Sequence, residues 1–204
     1  MKVAVLGAGA MGTGIGQIAA QNGCEVVYYD SFPGATDRSK TSIEKIFGRL
    51  VEKGRMSEEQ RTTTLGRMSW SEDLNAVAGA DLIVEAVIEN LEVKKDLFAQ
   101  VEPLISESAW LCTNTSSLSI AALSADLKHP ERFGGLHFFN PAPLMPLVEI
   151  VPGGCRRESP RRTGRRSTGR TPRRRRPPPR RRATRGRWRA RRAHGFRSPP
   201  LQTT

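Results

Sequence analysis

Cysteine and histidine are scarce in this sequence, three of each, and the scarcity excludes several chemistries. Cys24, Cys112 and Cys155 form no CxxC pair and have no histidine cluster beside them. Neither a zinc site nor a disulfide framework is therefore expected, and no metal; free thiols in a reducing cytoplasm are. No apolar run approaches the roughly 18 residues that mark a membrane span, so a cytoplasmic chain without a membrane partner is expected. The opening stretch MKVAVLGAGAMG resembles a signal peptide only superficially, because its apolar run is short and breaks at glycines. The last absence is the oddest. From residue 155 onward there is no Lys, Ile, Val, Asn, Asp, Tyr or Met.

What is there divides into two chemistries. Residues 1–154 carry 13 basic and 19 acidic side chains, net −6; residues 155–204 carry 20 Arg and one Glu, net +19; together they give the +13 of the whole chain. The high isoelectric point belongs to the tail alone and says nothing about partners of the first segment. That segment, taken as a domain of residues 1–153, is long enough for a core of its own. In the tail, residues 154–204, Arg, Pro and Gly fill 31 of the last 50 positions without apolar period. Low hydrophobicity with high net charge cannot offset the entropy of ordering, so the tail is expected to be disordered.

Along the first segment, short Val-rich runs alternate with helical spacing. Lys2–Leu6 reads as a buried strand, Met11–Asn22 as a helix stopped by Gly23, and Glu25–Tyr29 as a second strand. Ala35–Lys53 has Ile43, Ile46, Phe47 and Leu50 on one helical face. Ser57 and Gln60 have capping-box spacing. Further strands are expected at Met68–Trp70, Asp81–Glu85, Trp110–Thr113, Phe133–Phe139 and Leu147–Val151, and a helix at Leu91–Ile105. Strand–helix alternation of this kind predicts an α/β class with a doubly wound parallel sheet.

Within the first strand–helix–strand unit stands Gly7-x-Gly9-x-x-Gly12. The spacing alone is a weak signal, but a strand precedes it, a helix follows, and the next strand ends in Asp30, 23 residues after Gly7. Gly7 permits the tight turn, Gly9 lets a pyrophosphate approach the backbone, and Gly12 lets the helix pack close to the sheet. The helix N-terminus offers free N–H groups to phosphate. The Asp30 carboxylate would accept from the adenosine ribose hydroxyls and repel a 2′-phosphate, which favours NAD over NADP. A Rossmann-type NAD site is the expectation. His137 lies in an aromatic strand-to-loop segment, where a lone histidine is usually structural. Glu149, twelve residues on in the apolar PLVEIV, would be costly to bury unpaired. A His137–Glu149 pair would remove that cost and make the other imidazole nitrogen more basic, which suits proton removal from an alcohol. His129, in KHPERF, fits no motif and reads as a surface loop residue.

The stretches GAGAMG, VEAVIENLEVKKDLF, TNTSSLSI and GLHFFNPAPLMPLVEI together resemble the 3-hydroxyacyl-CoA dehydrogenases, in particular the short bacterial 3-hydroxybutyryl-CoA type, over Met1 to Val151. HFFNP with TNTSSL is far more specific than the glycine fingerprint. The resemblance implies NAD-dependent oxidation of a (3S)-3-hydroxyacyl-CoA to the 3-oxoacyl-CoA. It implies His137 as general base, Glu149 holding it, and Ser116 rather than Ser117 bonding the substrate's 3-oxygen. Asn114 and Asn140 would line the nicotinamide and the active site. Glu89 and Lys94 would contact the ribose or phosphate side of the cofactor. A solvated helix start remains the plain alternative for Glu89 and Lys94, and a turn before proline for Asn140.

The family continues with an all-helical domain that supplies the homodimer interface, one wall of the acyl pocket and an asparagine in a PGF-x-VNR segment. Here Gly195–Phe196 is followed by Arg197, Ser198 and Pro199 instead. Lys neutralises phosphate as well as Arg does, so a selected nucleic-acid arm has no electrostatic reason to exclude it. A GC-rich reading frame has one: Arg, Pro, Gly and Ala codons are GC-rich, those of Lys, Ile, Asn, Tyr and Met AT-rich. Residues from about Gly154 are therefore read as an out-of-frame translation whose other frame encodes the helical domain. Three classes stay open: a dehydrogenase impaired by the loss of that domain, an inactive NAD-binding remnant, and a nucleic-acid binder acting through a genuine Arg-rich tail. The last requires salt-dependent DNA binding that disappears when the tail is removed.

Overall fold

The computed structural model describes residues 1–153; the tail, with its expected disorder and its reading-frame interpretation, lies outside the described residues. The run Lys2–Leu6 forms strand β1, buried from Val3 onward. Its alternate side chains feed two cores, as the two-residue period of a strand requires. Val3 and Val5 join Ile15, Ile43 and Phe47 on one face, whereas Ala4 and Leu6 join Phe98, Val101 and Leu123 on the other. Helices thus cover both faces: α1 (Ala10–Gln21) and α2 (Ala35–Glu52) on the first, α4 (Leu91–Val101) and α5 (Ile120–Ser124) on the second. A short α3 (Glu58–Leu65) follows α2 and carries the complete Ser57–Gln60 capping box.

The remaining strands are β2 (Glu25–Tyr29), β3 (Met68–Ser71), β4 (Leu82–Glu85), β5 (Trp110–Thr113), β6 (Phe133–Phe138) and β7 (Val148–Pro152), in the sheet order β3-β2-β1-β4-β5-β6-β7. β1 pairs in parallel with β2 on one side and β4 on the other. The chain therefore winds outward in both directions from β1, and the crevice above the carboxyl ends of β1 and β4 is the topological switch point where ligands bind in such sheets. This is the expected doubly wound α/β fold, with two departures. β7 runs antiparallel to β6, because the short link Phe139–Leu147 holds only a 3-10 turn at Ala142–Leu144 and a parallel return needs a crossover of a dozen or more residues. The helix expected over Leu91–Ile105 ends as α4 at Val101 and tightens into a 3-10 turn, Glu102–Leu104, because Pro103 cannot donate to the helical ladder. No helix among the described residues is long and apolar enough to cross a membrane.

Candidate active site

The turn from β1 into α1 is built as a phosphate cradle. Gly7 takes φ +103°, and a Cβ there would lie 2.7 Å from the Ala86 carbonyl oxygen. Gly9 is the N-cap of α1 and supplies no side-chain cap, so the first N–H groups of the helix keep their donors for an anion. Nothing lies within 4 Å of where a Gly9 Cβ would stand. Asp30, just past β2, accepts from Ala8 N–H (2.8 Å) and Phe32 N–H (2.9 Å). Its carboxylate is thereby fixed beside the glycine turn. These residues fit a dinucleotide: an uncapped helix end, an open approach at Gly9 and an anchored acid.

Across the switch point lies a cavity of about 320 Å³ whose lining includes Glu89, Lys94, Asn114, Ser116, His137 and Asn140. The topology explains the gathering, since Glu89 follows β4, Asn114 and Ser116 follow β5, and His137 stands near the end of β6. Asn140, which begins a cis peptide to Pro141, also borders a second groove of about 750 Å³ between α1, α2 and the Pro141–Leu144 turn. Asn114 Oδ1 accepts from Phe138 N–H at 2.8 Å and so ties the β5 turn to the end of β6.

His137 and Glu149 face each other in the antiparallel β6–β7 register, and Nδ1 lies 2.9 Å from Glu149 Oε2. A carboxylate accepts, so Nδ1 is the donor in this contact, and in a neutral imidazole Nε2 is then the nitrogen left with a lone pair. The burial argument for this pair does not hold. The Glu149 side chain is 56 % exposed because β7 is the sheet's exposed edge. His129, by contrast, stands before β6 and contacts Glu131 (3.2 Å).

Lys94 is not a solvated helix-start residue, whereas the Glu89 side chain keeps 38 % of its surface exposed. Asn90 caps α4 by accepting from Glu92 and Val93 N–H, and the Lys94 side chain is 1 % exposed. Its ammonium lies 2.5 Å from Glu85 Oε1 and 3.2 Å from Glu89 Oε2. Glu89 Oε1 accepts from the Thr115 hydroxyl (2.5 Å), from Ser116 N–H (3.0 Å) and from Ser117 N–H and hydroxyl (both 3.2 Å). Partial burial opposes the Glu89 charge, but the Thr115 hydroxyl, the charge and hydrogen bond of Lys94 and the Ser116 amide outweigh it and hold the carboxyl down at about 2 against an ordinary 4.5. A folded value below the unfolded one stabilises the fold fully above about pH 4.5, and the gain is lost as pH falls toward 2. Thermal melts of wild type and Glu89→Gln should therefore converge progressively over that interval. Melts separated by a constant amount would mean that Glu89 is not held ionised. The sequence reading missed Glu85, Thr113 and Thr115. The available signal was an acid closing the apolar run DLIVE.

The family model for the NAD-binding domain of 3-hydroxyacyl-CoA dehydrogenase matches residues 2–159. This chain belongs to that family. A Deinococcus radiodurans protein described as "Probable 3-hydroxybutyryl-CoA dehydrogenase" is 46 % identical over 153 residues, 75 % of this chain and 55 % of that one. The 3-hydroxyadipyl-CoA dehydrogenase of Escherichia coli K12 is 47 % identical over 151 residues, 74 % of this chain and 32 % of its own length. Among solved structures, the (S)-3-hydroxybutyryl-CoA dehydrogenase of Ralstonia eutropha superposes with a TM-score of 0.72 at 34 % identity, covering 74 % of this chain and 54 % of that one. The chain thus spans between a third and about half of the length of these relatives. The family's matched domain binds NAD, the cofactor for which the β1–α1 turn and Asp30 are suited.

Proposed function

We propose that this 3-hydroxyacyl-CoA dehydrogenase domain supports NAD-dependent oxidation of a (3S)-3-hydroxyacyl-CoA, such as 3-hydroxybutyryl-CoA, to the 3-oxoacyl-CoA. The observation that carries the reading is the His137–Glu149 pair on the cavity that also holds Ser116 and Asn114, beside the glycine turn. NAD, when bound, provides the hydride acceptor. His137 Nε2 takes the proton of the 3-hydroxyl while Glu149, bonded at Nδ1, keeps the ring oriented and stabilises the imidazolium that results. In the reverse direction the same nitrogen returns the proton to the carbonyl oxygen. Ser116 is the residue assigned to the substrate's 3-oxygen, since the Ser117 hydroxyl is already bonded to Glu89. Asp30 would receive the adenosine ribose hydroxyls, and Glu89, backed by Lys94, the ribose nearer the nicotinamide. Asn114 and Asn140 would border the ring itself. The groove between α1 and α2, whose lining includes Gly9 and Arg38, continues from the glycine turn and would take the phosphate side of the dinucleotide.

One observation favours a second reading, a domain that binds NAD without turning substrate over. Leu144, Leu147 and Ile150, close in sequence to Glu149, expose 75 %, 52 % and 77 % of their surface, an apolar surface of the kind that marks a missing contact. Titration of the full chain with NADH, followed by NADH oxidation on adding acetoacetyl-CoA, separates the two. Turnover supports the dehydrogenase reading, binding without turnover supports the second, and no binding refutes both.

A further inference from the structure

The most deeply buried carboxylate among the described residues is one that the proposed chemistry does not use. Glu85 closes β4 with no exposed surface. One of its oxygens takes Lys94 Nζ (2.5 Å) and Val87 N–H (2.7 Å), and the other takes the Thr113 hydroxyl (2.6 Å). Removing two charges from water costs several kcal/mol each, and a well-packed apolar pair often serves stability as well or better. Stability alone is therefore a weak reason for this pair. Its geometry offers a better one. The same Lys94 ammonium reaches Glu89 Oε2 at 3.2 Å, and Glu89 in turn gathers Thr115, Ser116 and Ser117. The Thr113 hydroxyl accepts from Thr115 N–H at 3.2 Å, so Glu85 grips the β5 turn from both ends of the network.

We propose that Glu85 is a positioning residue, which anchors Lys94 so that Glu89, and through it the Ser116–Ser117 turn, stays at the wall of the cavity. Without the Glu85 charge, the enclosed ammonium has Glu89 as its one remaining ion-pair partner among the described residues and draws that carboxylate inward, away from the serine amides. The proposal rests on the dehydrogenase reading only for what the turn then contacts.

The test is Glu85→Gln in the full chain, which keeps the shape and removes the charge. In the cofactor-free protein, the Ser116 and Ser117 amide proton resonances should move upfield as the carboxylate withdraws, while those of Gly7 and Phe32 stay in place. NADH affinity should fall about tenfold, the equivalent of about 1.4 kcal/mol. Glu85→Asp, which restores the charge, should recover part of both effects. A lower melting temperature with the two serine amides unmoved would reduce Glu85 to a stability role and overturn the proposal. If Glu85→Gln does not fold, Glu85→Asp decides: it keeps the charge but draws it back by one methylene, so it should shift the same amides in the same direction by a smaller amount, and unmoved amides overturn the proposal. Because the amides are read without cofactor, a wild-type chain that binds no NADH would refute the dehydrogenase reading while the amide shifts still decide the role of Glu85.

Discussion

Replacing His137 by Ala should lower acetoacetyl-CoA turnover by about 10²–10⁴-fold, the usual contribution of a general base, and leave NADH affinity unchanged. The two effects separate because the phosphates and the adenosine ribose would rest on the β1–α1 turn and Asp30, away from His137, while Glu89, Asn114 and Asn140 remain in place at the nicotinamide end. Glu149→Gln should cost less than the loss of the imidazole. Its amide carbonyl can still accept from Nδ1–H, so the ring keeps its orientation, but the negative charge that stabilises the imidazolium is gone. Steady-state rates with both variants, set beside NADH titrations, check the pair. Full turnover in His137→Ala would move the base elsewhere. His129 is no substitute, because it precedes β6 and so belongs to the opposite end of a strand whose C-terminal end borders the cavity.

The strand and helix pattern could be read where local and global demands coincide. β1, β2 and β5 are short apolar runs ending at turns, and their bounds in the sequence and in the structure agree. The direction of β7 could not be read from its residues, since an apolar pentapeptide looks the same in a parallel or an antiparallel place; only the short link from β6 decides it. The same ambiguity misled the argument about acids. Glu85 and Glu149 both close or interrupt apolar runs, and an acid in such a run is costly only if the strand is interior. β4 lies in the middle of the sheet and β7 at its edge, so the cost falls on Glu85, which the sequence reading passed over, and not on Glu149. The His137–Glu149 contact exists for another reason. An antiparallel pairing of β6 with β7 puts the two residues opposite each other.

Two neighbouring glycines should fail in different ways when each gains a methyl group. In Gly12→Ala the new Cβ would sit on the Gly7 carbonyl oxygen, far inside contact distance, and 3.1 Å from Val5 Cγ1. Backbone cannot step aside as a flexible side chain can, so α1 must lift from β1 or the turn must open. Overpacking of this kind costs about 1–3 kcal/mol and occasionally more, and the phosphate cradle is distorted with it. Lower melting temperature and lost NADH binding should appear together. In Gly9→Ala the Cβ meets nothing within 4 Å, and Gly9 already has extended backbone at φ −71°, ψ −174°. The fold should be as stable as wild type. The methyl group instead occupies the approach to the free N–H groups of α1, so NADH affinity should drop about tenfold or more, roughly the 1.4 kcal/mol or so available from an anion at a helix N-terminus in a favourable site. Thermal melts and NADH titrations of the two variants separate packing from ligand contact. Unchanged NADH affinity in Gly9→Ala would mean that the space in front of Gly9 is not where the dinucleotide lies.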